Sequence, residues 1–165
     1  MNKLQPYVTA LSEKIGIPLV VSPGGSFTAL LGGKRLLIKA LDSSDALLFY
    51  MEVGRPTLFR RGEVITALMV GNLFLSATRG ATLSYDEYNE MVGLNLLLPL
   101  HHLEADAFIN TVDNVMAAAE DWSHKLEEIN AQAEERTRQM GGAPASENTG
   151  QAEGTTSNVS QMLRV

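Results

Sequence analysis

The stretch SFTALLGGKRLLIKALDSSDALLFYMEV, residues 26–53, reads as three strands of an antiparallel meander. Ser26 to Leu31 alternates in character, Gly32 and Gly33 supply the positive φ angles of a tight hairpin turn, and Lys34 to Leu41 is the returning strand. Asp42, Ser43, Ser44 and Asp45 make a second turn into a strand from Ala46 to Val53, which Gly54, Arg55 and Pro56 end. The register follows from the turns. With Gly32 and Gly33 at the corner, Leu31 pairs with Lys34, Ala29 with Leu36 and Phe27 with Ile38; centring the next turn on Ser43 and Ser44 pairs Ala40 with Leu47 and Ile38 with Phe49.

Because side chains alternate between the faces of a sheet, this register sorts them. One face collects Phe27, Ala29, Leu31, Leu36, Ile38, Ala40, Leu47, Phe49, Met51 and Val53 and is a core face. The other collects Thr28, Leu30, Arg35, Leu37, Lys39, Leu41, Leu48, Tyr50 and Glu52. A solvated sheet face should be mostly polar, yet Leu30, Leu37, Leu41, Leu48 and Tyr50 stand among only three charges. Contiguous apolar surface of this kind marks a place where another chain docks. The alternative is a cover formed by one of the protein's own helices, under which Lys39 and Glu52 would be awkward.

The chain on either side supplies helices. Leu4, Val8, Leu11 and Ile15 recur at helical spacing until Gly16 and Pro18 stop them. Val64, Ile65, Ala67, Leu68, Met69, Val70, Leu73, Phe74 and Leu75 form a helix that is apolar on nearly every side, relieved by Glu63, Thr66 and Asn72. A short chain can bury one side of such a helix in its own core, so the second side predicts a copy across a two-fold axis, the alternative being a central helix wrapped by its own sheet. Strands are expected from Ala81 to Asp86 and from Glu90 to Leu98. Phe108, Val112, Val115, Ala119, Trp122, Leu126 and Ile129 then make the apolar seam of a final helix, with Ala133 one step further. Beyond Gln139 the sequence GGAPASENTGQAEGTTSN is small and polar, which predicts disorder for residues 140–165 and a folded domain over 1–139. Only Val159, Met162, Leu163 and Val165 in that tail are apolar enough to anchor anything.

The 165 residues carry a formal charge of −6, a surface that repels nucleic acid and anionic lipid. There is no cysteine, which removes disulfides, thiolate chemistry and cysteine-bound zinc. No apolar run is long enough to span a membrane, and MNKLQPYVTALSEKIG lacks the pattern of a signal peptide, so a soluble cytoplasmic protein is expected. Catalytic candidates are thin. His101 and His102 are neighbours whose side chains are expected to diverge, and Glu104 does not complete a metal-ligand spacing. His124 is expected to be solvated on the final helix, Asp86, Glu87 and Glu90 are solvated acids, Ser43 and Ser44 have no nearby base, and no glycine pair has the lysine of a phosphate loop. No enzyme, metal or cofactor is expected.

In order and spacing, the runs LSEKIGIPL, LLGGKRLLIKA, ALLFYMEVG, ITALMVGNLFLSATRGATLSYDE and LNLLLPLHHLEADAFINTVDNVMAAAEDW resemble the class I chaperones of bacterial type III secretion, the Tir chaperone family, over residues 4 to about 130. The resemblance implies a small acidic α+β homodimer in two layers: an antiparallel twisted sheet with three helices in the order α-β-β-β-α-β-β-α. It implies pairing through the second helix, here by Val64, Ile65, Leu68, Met69, Asn72 and Leu73. It also implies a bacterial cytoplasmic chaperone without catalysis, which holds an extended N-terminal segment of one or more secreted effectors non-globular and delivers it for export at the secretion ATPase. Apolar patches hold the segment's side chains and added strands its backbone. The expected effector-binding residues are those of the outer sheet face, Leu30, Leu37, Lys39, Leu41, Leu48, Tyr50 and Glu52, with Lys39 and Glu52 setting register. The long polar tail departs from many members. Two other functions compete: a dimeric adaptor or regulatory module for a folded partner, and a small-ligand domain, which would need a deep polar-lined pocket that the sequence does not offer.

Overall fold

A computed structural model describes residues 3–41 and 43–141. The elements are α1 (Gln5–Ile15), β1 (Ser26–Leu31), β2 (Lys34–Leu41), β3 (Ala46–Gly54), α2 (Arg61–Gly71), a single 3-10 turn (Leu73–Leu75), β4 (Thr82–Asp86), β5 (Met91–Pro99) and α3 (Ala105–Gln139). The expected element order is the observed one. All strand pairs are antiparallel, and the sheet runs β1-β2-β3-β5-β4.

The register derived from the turns holds across the meander: Phe27 lies opposite Ile38, Ala29 opposite Leu36, Ile38 opposite Phe49 and Ala40 opposite Leu47. Gly32 and Gly33 both take positive φ, 57° and 77°, the pair of left-handed residues that a two-residue turn of primed type needs. Phe27, Leu36, Ile38, Leu47, Phe49 and Met51 are buried on the inner face, and α3 packs across β3 and β5 over them while α1 and α2 lean on α3. The Phe108 ring joins the layers, 5.7 Å from Phe49 and 5.0 Å from Tyr7 of α1. Helix α1 closes at Gly16, whose left-handed φ of 70° returns its N–H to the Ser12 carbonyl at 2.9 Å.

The seam of α3 is buried as spaced: Phe108, Val112, Val115, Ala119, Trp122, Leu126 and Ala133 all face inward. The helix then runs on to Gln139 and acts as a strut for the connection into α2. The Asn130 Oδ1 accepts the Thr57 N–H at 2.8 Å while its Nδ2 donates to the Arg55 carbonyl at 2.9 Å. Ser123 and Lys34 both donate to the carbonyl of Val53.

The second helix is shorter than the sequence implied. It ends at Gly71, where a Cβ would stand 2.1 Å from Cη2 of Trp122. Only glycine lets α2 press onto that indole, and the chain then breaks: Phe74 and Leu75 sit at φ 59° and 55°, so residues 73–75 are a separate turn. The Trp122 Nε1 donates to the Ala77 carbonyl, and the one hydroxyl hydrogen of buried Thr78 is shared between the carbonyls of Leu75 and Ala81, fixing the route into β4. The predicted tail lies outside the described residues from 142 onward.

Candidate functional site

Among the described residues the helices pack on the inner face, and none of these helices covers the outer face of the sheet. Three cross-strand rows organise it. Thr28, Leu37, Tyr50, Asn95 and Thr82 form one row, Leu30, Arg35, Glu52, Gly93 and Ser84 a second, and Ser26, Lys39, Leu48 and Leu97 a third. Leu30 is 73% exposed and Leu97 53%, while Leu37, Leu48 and Tyr50 are half-buried. Over the first row, reaching Arg35 of the second and Leu48 of the third, lies an open concavity of about 400 Å³, with Leu37, Leu48 and Tyr50 as its apolar floor and Arg35, Asp86 and Asn95 among its polar walls.

Its floor depends on a glycine. A Cβ at Gly93 would come within 2.4 Å of Cε2 of Tyr50, so the tyrosine ring lies flat across β5 where no side chain stands. Burial, and then the carboxylates of Glu52 and Asp86, push the Tyr50 hydroxyl above its ordinary value of 10.0, against a lowering pull from Arg35. The rim is already hydrogen-bonded. Arg35 Nη2 meets Glu52 Oε1 at 2.5 Å, Asn95 Nδ2 donates to Ser84 Oγ, and Asp86 accepts from both the backbone and side-chain amides of Asn89. Those bonds to Asn89 hold the Asp86 carboxyl below the usual carboxylate range.

The structure sorts the expected site residues. Leu30, Leu37, Lys39, Leu48, Tyr50 and Glu52 share the outer face, with Lys39 exposed and the Glu52 carboxylate taken up by Arg35. Leu41 stands at the end of the face opposite buried Ala46, half-buried itself. Arg35, Gly93, Asn95 and Leu97 were missed as site residues, because three of them belong to β5, whose register against β3 no short turn reveals.

The six residues expected to pair two copies separate in the same way. Val64 (0% exposed) and Leu68 (4%) belong to the chain's own core, and Ile65 packs partly against it. Asn72 turns inward and binds the backbone of Leu83. Met69 (65%) and Leu73 (62%) face out beside Val70 and Phe74, an exposed apolar strip along α2 and the turn after it.

The catalytic candidates remain apart. His101 and His102 do not diverge as expected: His102 adopts a left-handed φ of 57°, and the two rings sit 3.9 Å apart on an exposed turn. His124 lies beside Glu120 and Glu127 on the solvated side of α3. Among the described residues no three His, Asp or Glu side chains gather as metal ligands, and no helix is long and apolar enough to cross a membrane.

Among the described residues, a five-stranded antiparallel sheet with helices on one face and a partly apolar second face without a helical cover defines an α+β module. The model of the Tir chaperone protein (CesT) family matches residues 7–123, and the chain belongs to that family. Solved structures share the fold. The ExsC-ExsE complex matches with a TM-score of 0.67 at 21% identity, covering 75% of this chain and 93% of the other. The HopA1-SchA chaperone-effector complex gives 0.58 at 18% identity, covering 76% and 95%. The heterodimeric ExoU-SpcU complex from the type III secretion system of Pseudomonas aeruginosa gives 0.55 at 18% identity, covering 74% and 96%. No curated protein matches the chain significantly.

Proposed function

We propose that this chain is a type III secretion chaperone that holds an extended N-terminal segment of one or more effectors on the outer face of its sheet, keeps it non-globular and hands it to the secretion ATPase. The carrying observation is the uncovered face itself, where Leu30 and Leu97 are exposed beside the floor of Leu37, Leu48 and Tyr50. Apolar side chains of an extended segment, spaced two apart, fit such rows. A folded partner would need a broad, flat or convex match instead. The neighbouring folds include a complex described as chaperone with effector, which supports the same reading.

The working unit is a homodimer, joined through Met69, Val70, Leu73 and Phe74, which otherwise leave an apolar strip in water. The binding is non-catalytic and takes place in the bacterial cytoplasm. The test is genetic and biochemical together. Removing the chain from its bacterium should abolish export of the protein it co-purifies with, and a Leu37→Asp, Leu48→Asp version should fail to restore it. Full export without the chain would contradict the proposal.

A further inference from the structure

The concavity on the outer face is more than an apolar dip. Its floor is made by Leu37, Leu48 and the Tyr50 ring, which lies flat because β5 has no side chain at Gly93. Three charges stand around it. Arg35 and Glu52 meet across β2 and β3, Nη2 to Oε1 at 2.5 Å, and cancel one another. The third, Asp86, is half-buried at the end of β4 and forms part of the wall.

Asn89 holds Asp86 without neutralising it. Oδ1 accepts the Asn89 N–H at 3.1 Å and Oδ2 accepts from Asn89 Nδ2 at 2.7 Å, bonds from an uncharged residue that fix the plane of the carboxylate. A carboxylate has about four acceptor sites, which leaves capacity for a charged donor. Burial first, then Glu52 and Asp86, raise the Tyr50 hydroxyl, so ring and acid share one electrostatic neighbourhood. With Arg35 and Glu52 cancelled, that neighbourhood keeps the negative charge of Asp86, on a chain whose formal charge is already −6.

We propose that this concavity is a specificity site for one basic side chain of the guest segment, arginine in preference to lysine, with its stem on Leu37 and Leu48 and its guanidinium over the Tyr50 ring against the Asp86 carboxylate. The inference rests on the chaperone reading above and adds a rule for choosing among apolar segments. A long basic side chain is apolar along its stem and charged at its tip, which matches a leucine floor with an acid at one end. The flat ring draws a cation to its face. A guanidinium can stack on that ring and also offer a fork to two oxygens held in one plane, which an ammonium cannot. An acidic guest would meet the charge of Asp86, and an apolar one would strip water from that carboxylate and return no donor.

The probe is a set of overlapping synthetic peptides tiling the N-terminal regions of the proteins that the source bacterium exports, titrated by calorimetry against the full chain. The peptides that bind should share an arginine whose replacement by citrulline, which keeps the shape and removes the charge, weakens binding about tenfold. Lysine at the same position should cost less than citrulline and more than nothing. Asp86→Asn, on the open rim, should lower the affinity of the arginine peptide about tenfold and leave that of the citrulline peptide unchanged, so that the citrulline penalty disappears. Tyr50→Phe keeps the ring and should keep the penalty. A peptide that binds equally well with citrulline, or a penalty that survives in Asp86→Asn, overturns the site while the chaperone reading stands. Lysine equal to arginine overturns the preference for the fork. Should Asp86→Asn fail to fold, salt decides on the unaltered chain: the arginine-over-citrulline advantage should shrink as salt rises, and an advantage indifferent to salt overturns the site. A complete absence of binding peptides overturns the chaperone reading itself.

Discussion

Leu37 and Leu48 show how far single residues could be placed from sequence alone. Two turns, one made by Gly32 and Gly33 and one around Ser43 and Ser44, set the register, and the register alone put both leucines on the other face of the sheet from Ile38 and Phe49. What it could not show was depth. Both are half-buried in a face where Tyr50 lies flat across Gly93, and a glycine on β5, distant in sequence, has no signature in a pattern of alternation. Leu30→Asp, Leu37→Asp and Leu48→Asp should leave the fold intact, since each carboxylate can reach water on an uncovered face, and should weaken a bound effector segment by more than tenfold by placing a charge where the complex excludes solvent. Calorimetric titration of the segment checks this, and Leu30→Asp, at the most exposed position, separates binding from folding. The Tyr50 hydroxyl gives a pH test. Its folded value is raised above 10.0 by burial and by Glu52 and Asp86, so the stabilisation that goes with the neutral phenol is complete below pH 10 and is lost as pH climbs through the raised value. In an alkaline absorbance titration, Tyr50→Phe should delete one of the late-titrating phenols among the four tyrosines.

Among the elements, α2 was the least legible. Its composition said correctly that one chain would leave apolar surface uncovered, but an all-apolar run has no polar face to mark which side turns inward, so Val64 and Leu68 could not be told from Met69 and Leu73. Nor could the break at Gly71 be read, because its cause is the Trp122 indole, distant in sequence. A charge at Leu68 would therefore test the protomer core, whereas Met69→Glu with Leu73→Glu tests the outward strip. That double variant should keep its helical circular dichroism and sediment as a monomer, and an undisturbed dimer would move the interface elsewhere. Gly71→Ala makes the contact with Trp122 visible in stability. Its methyl would overlap the ring, and forcing α2 and α3 apart should cost on the order of 1–3 kcal/mol in a denaturant titration.

At the scale of the whole molecule, the element order, the meander and the α3 seam were readable because each depends on local spacing: turn glycines, alternation, and apolar steps of three and four. The long-range features were not. The placement of β5 between β3 and β4, the Asn130 strut under the β3–α2 connection, and the Asn72 side chain along the β4 edge all join residues whose partners no local pattern names. Among the described residues, α3 packs across one face of the sheet and no helix covers the other, and the functional reading rests on that division. Limited proteolysis of the co-purified complex, with fragments identified by mass spectrometry, tests it most directly. A chaperone of this kind predicts one protected, extended stretch near the partner's N-terminus, with the flanking chain cut freely and the protection lost with Leu37→Asp and Leu48→Asp. Protection of a whole folded domain of the partner, unchanged by those substitutions, would contradict it.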